Sequence, residues 1–309
     1  MAHPGVMHRY TPHLVAFEHA TISTPDSPNT LLWMGGLGDG LLTITYPAAL
    51  AQLLPSNWSL AEVLLSSSYK GWGTGSLKRD ANEIASCVRY FQKLRPNTKI
   101  LLMGHSTGCQ DIMEYLVGEG CAERPRVQGA ILQAGISDRE ALVSVLPQDV
   151  YDRSVKLAQD LVAGGRGDDI LPKSCMNDVL RSPVTAVRWL SLASPDKNGE
   201  DDYFSSDLDP KRLKTTFGSM KKETPLMFLF GGADPHVPDF VGKEALLSKW
   251  TGIVREGGGI VDDTNGGVIP RATHNLNGNP DDVVGDLIRR VNGFVRRLEE
   301  GTLTTGPHL

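Results

Sequence analysis

Gly104-His105-Ser106-Thr107-Gly108 is the stretch of sequence that decides the fold. It follows the apolar run 100–103, so that residues 98–103 predict a buried strand, and it leads into residues 107–117, which predict a helix. A serine on so sharp a strand-to-helix turn would have a strained backbone and an exposed hydroxyl. Both glycines are expected because a side chain at either place would collide with the neighbouring strand or helix. The turn therefore predicts Ser106 as a nucleophile.

Strands and helices alternate on both sides of this turn. The predicted strands cover 14–19, 30–34, 60–65, 127–133, 225–230 and 267–269, and the main predicted helices cover 46–54, 76–95 and 281–298. This alternation is typical of a mostly parallel, doubly wound sheet with helices on both faces.

One long segment interrupts the alternation of strands and helices. Residues 137–223 are too many for a bare loop between two strands, so we expect a helical cap inserted over the carboxyl ends of the strands. The remaining residues, 1–136 and 224–300, would form the α/β core, and we expect 301–309 to be a disordered tail.

A G-x-S-x-G turn between a strand and a helix resembles that of the α/β-hydrolase superfamily, and the resemblance covers most of the chain. It implies the chain order nucleophile, acid, histidine. Three histidines follow the later strands: His236, His274 and His308. His308 lies in the tail and His236 shares a loop with the best acid candidate. His274, directly after the last predicted strand, is therefore our candidate base.

The candidate acid is Asp234, which directly follows the apolar strand 225–230. A carboxylate there could accept a hydrogen bond from the imidazole and stabilise the imidazolium that forms during catalysis. Asp138, after the strand 127–133, is the alternative acid, since some hydrolases place the acid at that strand end.

The oxyanion that forms during acyl transfer needs backbone N–H donors. We expect one from Thr107, at a helix N-terminus, and one from Leu37, in the glycine-rich turn 35–40. Further pocket residues are expected near these strand ends, where aromatic side chains could stack on a substrate or simply pack at the rim: Gly36, Asp39, Tyr69, Trp72 and His105.

The composition excludes several other classes of protein. A net charge of -5 argues against a nucleic-acid partner, and no apolar run reaches the length of a membrane span. The amino terminus lacks the apolar region of a signal peptide. The four cysteines have neither metal-binding nor disulfide spacing, so we expect reduced thiols in a cytoplasmic protein. The chemistry needs no cofactor and no metal.

Four segments together resemble a fungal family of α/β hydrolases that includes intracellular siderophore esterases. They are the turn 34–40, the pentapeptide, residues 133–140 and residues 231–238. The resemblance implies cytosolic cleavage of ester bonds in fusarinine C or its triacetylated form, with release of iron, by Ser106, Asp234 and His274. Gly35 stands where many lipases have a histidine, which weakens a general lipase interpretation.

The sequence therefore favours a serine esterase that acts on a small-molecule ester, with a ferric siderophore as the substrate that the resemblance implies. A broad carboxylesterase, a thioesterase or a lipase-like hydrolase would share every residue named. A non-catalytic binding module with the same fold is a second alternative, because a fold does not determine function.

Overall fold

The computed structural model of the protein describes residues 2–21, 28–176 and 182–304, without the side chains of residues 175 and 176. Within these ranges one eight-stranded sheet runs through the molecule. Its strands are β1 (Gly5–Arg9), β2 (Val15–His19), β3 (Asn29–Met34), β4 (Trp58–Val63), β5 (Ile100–His105), β6 (Gly129–Gln133), β7 (Leu226–Gly231) and β8 (Gly267–Ile269).

The strand order across the sheet is β1-β2-β4-β3-β5-β6-β7-β8. Strand β2 pairs antiparallel with both β1 and β4, and the other neighbouring strands, from β4 to β8, pair parallel. In the parallel register Met34 lies beside Gly104 and His105 lies beside Gln133. The carboxyl ends of β3, β5 and β6 therefore meet at one edge of the sheet, where ligands of open α/β sheets bind.

Helices cover both faces of the sheet. They are α1 (Tyr46–Leu53), α2 (Leu77–Leu94), α3 (Thr107–Val117), α4 (Asp138–Val145), α5 (Gln148–Ala163), α6 (Ala186–Ala193), α7 (Pro210–Thr215), α8 (Lys243–Glu256) and α9 (Asp281–Glu300). Buried side chains of α1 and α9 pack on one face, and those of α2, α3 and α8 pack on the other. This is the α/β-hydrolase arrangement expected from the sequence.

Local sequence explains where the long helices begin and end. The Ser76 side chain caps α2 by accepting a hydrogen bond from the Arg79 amide, and Pro96 follows its end. Helix α9 begins with two aspartates, which favour the positive end of the helix dipole. It ends at Gly301, whose φ of 66° is a left-handed conformation that glycine adopts readily.

The segment 137–223 divides into two parts by its packing. Helices α4 to α6 share a small core of their own, which includes Val150, Trp189 and, from outside the segment, Trp72. From Tyr203 onward the chain packs into the main core, where the Phe217 ring stacks on Trp250. We propose that the cap ends before Tyr203, whereas its predicted end at 223 follows only the position of the next strand.

Two elements were not predicted. The sequence of strand β1 does not alternate apolar and polar residues, because only one of its residues, His8, is buried. Helix α8 does carry buried residues at helical spacing, including Leu246, Trp250 and Val254.

Strand β4 begins two residues before its predicted start, at Trp58, which pairs with Asn29. Most of the predicted tail, residues 305–309, lies outside the described residues.

In the described ranges, none of the helices combines the length and the apolar composition needed to cross a membrane. Cys87, Cys109 and Cys121 are free thiols, and the side chain of Cys175 lies outside the description.

Candidate active site

Ser106 occupies the turn between β5 and α3 with φ 53° and ψ -124°, a backbone conformation that residues other than glycine rarely adopt. A Cβ on Gly104 would lie 2.4 Å from the Gly108 carbonyl oxygen. A Cβ on Gly108 would lie 2.5 Å from the carbonyl oxygen of Met34, on the neighbouring strand. Both predicted collisions are confirmed. The strained turn holds the Ser106 side chain out of the helix and toward the sheet edge.

The loops after β7 and β8 bring two further side chains to Ser106. The His274 Nε2 atom lies 2.8 Å from Ser106 Oγ, and His274 Nδ1 lies 2.7 Å from Asp234 Oδ2. The other carboxylate oxygen, Asp234 Oδ1, accepts a hydrogen bond from the His236 amide at 2.9 Å. The structure therefore joins the three residues proposed from chain order into one hydrogen-bonded series, the geometry of a Ser-His-Asp triad.

The electrostatics of the acid suit that arrangement. Burial raises the pKa of Asp234, but hydrogen bonding and charge interaction with His274 outweigh it and hold the pKa below its usual range. An ionised Asp234 fixes the proton of His274 on Nδ1 and leaves Nε2 free to accept a proton from Ser106.

Asp138, the alternative acid, lies elsewhere. It is the first residue of α4, and its Oδ2 atom accepts a hydrogen bond from Gln110 Nε2 at 2.9 Å. Burial, followed by the charge of Asp201, raises the pKa of Asp138 to about 8. The geometry thus favours Asp234 as the partner of His274.

Thr107 directly follows Ser106, and Leu37 directly follows Gly36, on which a Cβ would lie 3.1 Å from Ser106 Oγ. Among the described residues neither of their backbone amides donates to a protein acceptor. The turn that carries Leu37 is held by Asp39, whose Oδ2 atom accepts from the Gly36 amide at 2.8 Å and whose Oδ1 atom accepts from Thr43 Oγ at 3.2 Å. Two free amides beside a nucleophile, one of them at a helix N-terminus, are the arrangement of an oxyanion hole.

A buried polar network supports His274 from behind. Gln133 Oε1 accepts hydrogen bonds from His105 Nδ1 at 2.7 Å and from the Tyr46 hydroxyl at 3.1 Å. The Gln133 side-chain nitrogen, Nε2, donates to the His274 carbonyl oxygen at 3.1 Å, and Trp33 Nε1 donates to the Tyr46 hydroxyl at 2.8 Å. Gln133 thereby links strand β6 to the loop that carries His274.

Two histidine rings flank His274. The ring centres of His105 and His236 lie 4.9 Å and 4.8 Å from that of His274. Burial, followed by the neighbouring His274, lowers the pKa of His105 to about 3, so this ring is neutral at physiological pH. The same two causes lower the pKa of His236. Neutral neighbours spare His274 the repulsion that a second positive ring would cause.

The five predicted pocket residues separate into two groups. Gly36 and Trp72 line a cavity that also includes Leu37 and Thr107. Three others line no part of this cavity and have local structural contacts instead: Asp39, Tyr69 and His105. Asp39 braces its turn, the Tyr69 ring packs over Gly40, and His105 is buried behind His274. The role of all five in a substrate pocket stays a prediction.

Sequence reasoning missed Gln133 and gave His236 no role. Gln133 carried a signal, because it is the polar last residue of an otherwise apolar strand at the edge where the nucleophile lies. His236 was set aside as a base by its position, and nothing in the sequence shows that its ring contacts His274.

Comparisons with known proteins match most of the chain. A family model described as "Protein of unknown function (DUF1749)" matches residues 1–296. The chain is 38% identical to Fusarinine C esterase sidJ of Aspergillus fumigatus, with 96% of each chain covered. It is 37% identical to Esterase AN6793 of Emericella nidulans, with 96% of this chain and 93% of that protein covered. Among solved structures, the siderophore hydrolase EstB from Aspergillus fumigatus superposes with a TM-score of 0.82 at 37% identity, covering 96% of this chain and 98% of that one.

Proposed function

The chain belongs to the DUF1749 family, and we propose that it is a serine esterase that hydrolyses ester bonds of fusarinine-type siderophores. The observation that carries the chemistry is the hydrogen-bonded series from Ser106 Oγ through His274 to Asp234. The names of two similar proteins, a fusarinine C esterase and a siderophore hydrolase, support the choice of substrate. Iron would arrive as part of the substrate and leave with the products.

The proposed reaction has two halves. Ser106 Oγ attacks the ester carbonyl carbon while His274 Nε2 takes the serine proton, and Asp234 stabilises the resulting imidazolium. The Leu37 and Thr107 amides receive the negative charge that develops on the carbonyl oxygen. His274 then gives the proton to the leaving alkoxide, which yields an alcohol and an acyl-enzyme. A water molecule, deprotonated by His274, attacks the acyl-enzyme to release the acid and regenerate Ser106.

A fluorophosphonate probe tests the nucleophile directly. We expect it to label the wild-type protein on Ser106, and we expect Ser106→Ala to escape labelling and to lose activity by about a million-fold. Ser219→Ala is a matched control, because this serine is exposed and its hydroxyl donates only to the backbone carbonyls of Thr215 and Lys214. An unlabelled wild-type protein would contradict the esterase assignment.

The substrate needs a separate comparison. Ferric and iron-free fusarinine-type triesters should be cleaved to linear products, detected by mass spectrometry, faster than nitrophenyl esters of several chain lengths at equal concentration. Rapid cleavage of short nitrophenyl esters with intact siderophores would instead identify a broad carboxylesterase. Tight binding of the siderophore without turnover would identify a binding module. The cytoplasmic location stays part of the proposal, and fractionation of cells that express the protein tests it.

A further inference from the structure

Two loops from distant parts of the chain approach the candidate nucleophile. Residues 35–45 connect β3 to α1 and carry one proposed oxyanion donor, and residues 270–280 connect β8 to α9 and carry His274. The first loop approaches at Gly36, where a Cβ would lie 3.1 Å from Ser106 Oγ, and His274 Nε2 lies 2.8 Å from the same atom. Catalysis needs these loops at a fixed separation, because the oxyanion donor and the base act on one ester.

The side chain of Asn277 ties the two loops together. Its Oδ1 atom accepts hydrogen bonds from the Thr45 amide at 2.9 Å and from the Thr45 hydroxyl at 2.8 Å. Its Nδ2 atom donates to the Thr43 carbonyl oxygen at 3.2 Å. In the part of the chain that the structure describes, no other hydrogen bond joins residues 35–45 to residues 270–280. The connection between the two loops therefore depends on this one side chain.

The hydrogen bonds continue from Thr43 to the oxyanion turn. The Thr43 hydroxyl donates to Asp39 Oδ1 at 3.2 Å, and Asp39 Oδ2 accepts from the Gly36 amide at 2.8 Å. An unbroken series thus runs from Gly36 through Asp39 and Thr43 to Asn277, which lies three residues after His274. A shift of the histidine loop would be passed along this series to the turn.

A role in the core does not account for Asn277. Its side chain is exposed, whereas the neighbouring Leu276 is 1% exposed and packs into the core. Asn279 secures the same loop from within, because its Oδ1 atom accepts from the Thr273 amide and its Nδ2 atom donates to the Thr273 hydroxyl, each at 2.9 Å. The loop is thus anchored without Asn277, and what Asn277 adds is the link to the other loop.

We propose that Asn277 is a positioning residue that sets the distance between the oxyanion turn and His274, acting through Thr43 and Asp39. In the transition state His274 takes the serine proton while negative charge develops on the carbonyl oxygen, so the base and the oxyanion donors must be aligned at the same moment. This proposal rests on the proposed esterase activity and identifies a further determinant of the same site.

The first test measures kcat and KM on a nitrophenyl ester for the wild-type protein, Asn277→Ala and Asn277→Asp. We expect Asn277→Ala to lower kcat by about 10- to 100-fold, since a misplacement of about 1 Å can cost about 100-fold, and to change KM by less than about threefold. Asn277→Asp keeps the acceptor for Thr45 and loses the donor to Thr43, so it should recover part of kcat. Wild-type kcat in Asn277→Ala would overturn the proposal.

A double-mutant cycle with Asp39→Ala tests the route. Asp39→Ala removes both contacts that Asp39 makes in the series, with Gly36 and with Thr43. If Asn277 acts through Asp39, the double variant should have a kcat/KM within about twofold of that of the slower single variant. Losses that multiply would show that the two residues act independently, and the proposed route would then be wrong.

Two further asparagines serve as controls. Asn279→Ala also loses two hydrogen bonds in the histidine loop, but Asn279 lies outside the series, so its effect should multiply with that of Asp39→Ala. The same non-additivity for Asn279 would show that the loop responds as a whole, which would overturn a specific role of Asn277. Asn292→Ala loses a hydrogen bond to the Leu53 carbonyl oxygen and should keep wild-type kcat. Urea unfolding of each variant establishes that it is folded under the assay conditions.

The wild-type protein separates failure of this proposal from failure of the esterase. A wild-type protein that is labelled by the fluorophosphonate probe and turns over esters, with an equally fast Asn277→Ala, would overturn the positioning role alone. A wild-type protein with neither labelling nor turnover would overturn the esterase and the positioning role together.

Discussion

Replacing Gln133 with leucine should damage both stability and catalysis, because this side chain joins the core to the loop of His274. The substitution leaves two buried donors without an acceptor, His105 Nδ1–H and the Tyr46 hydroxyl. At about 1–3 kcal/mol for each stranded donor, the free energy of unfolding should fall by about 2–6 kcal/mol. The His274 carbonyl also loses its hydrogen bond from the Gln133 side chain. A shift of about 1 Å in a catalytic group can cost about 100-fold in rate, so kcat/KM should fall by that order.

Urea unfolding and ester kinetics measure the two effects on the same preparation. Gln128→Leu is the matched control, because Gln128 Oε1 accepts from the Ile100 amide at the opposite end of the sheet. It leaves one donor without an acceptor, so it should lose about 1–3 kcal/mol of stability and keep its kcat/KM. Kinetics must be measured well below the unfolding midpoint, so that the fraction of folded protein is the same for each variant.

The outcome separates support of His274 from simple packing. If Gln133→Leu loses stability and its kcat/KM matches that of Gln128→Leu, Gln133 is a structural residue only. A loss of less than about 1 kcal/mol would show that the buried donors find other acceptors, and the network described here would then be wrong.

Three further predictions concern the site. Asp234→Asn should keep the fold and lower kcat by about 10⁴-fold, because the asparagine amide favours the wrong tautomer of His274, and an unchanged kcat would exclude Asp234 as the acid. Gly36→Ala places a Cβ 2.6 Å from Ser106 Cβ and should lower kcat by about 100- to 1000-fold through displacement of the oxyanion turn, whereas wild-type kinetics would show that the turn tolerates it. The pKa of His105 is about 3 in the folded protein and about 6.5 when unfolded, so between these pH values the unfolded chain binds the extra proton. As the pH is lowered through this range, the free energy of unfolding should therefore decrease by about 1.4 kcal/mol per pH unit. In His105→Phe, the free energy of unfolding measured with urea should decrease less steeply as the pH is lowered from about 6.5 to about 4. An equal decrease in the wild-type protein and the variant would contradict a neutral, buried His105.

Much of the candidate site was readable from the sequence, because the resemblance to α/β hydrolases implies the chain order nucleophile, acid, histidine. The G-x-S-x-G turn required glycine at both ends for steric reasons, and the contacts of Gly104 and Gly108 bear this out. Asp234 and His274 each follow an apolar strand, and parallel strands bring their carboxyl ends to one edge. Position in the sequence was therefore enough to predict that Ser106, Asp234 and His274 lie close together.

Contacts between distant segments were not readable, since they have no local pattern. Gln133 contacts Tyr46 and His274, and Arg188 of the cap pairs with Asp201 beside α2 and α3. The extent of the cap was also obscure, because residues after Tyr203 pack into the main core as tightly as strand residues do.

The pentapeptide at 104–108 thus predicted the candidate nucleophile and, through the chain order that the resemblance implies, its candidate partners, because backbone strain and strand polarity are local constraints. Only the tertiary structure favours Asp234 over Asp138 as the proposed acid, because it places Asp234 and not Asp138 within hydrogen-bonding distance of His274 Nδ1. Only the tertiary structure brought Asp80 and Asp111 to one cavity beside the turn 35–37, because they lie on different helices and meet through packing alone.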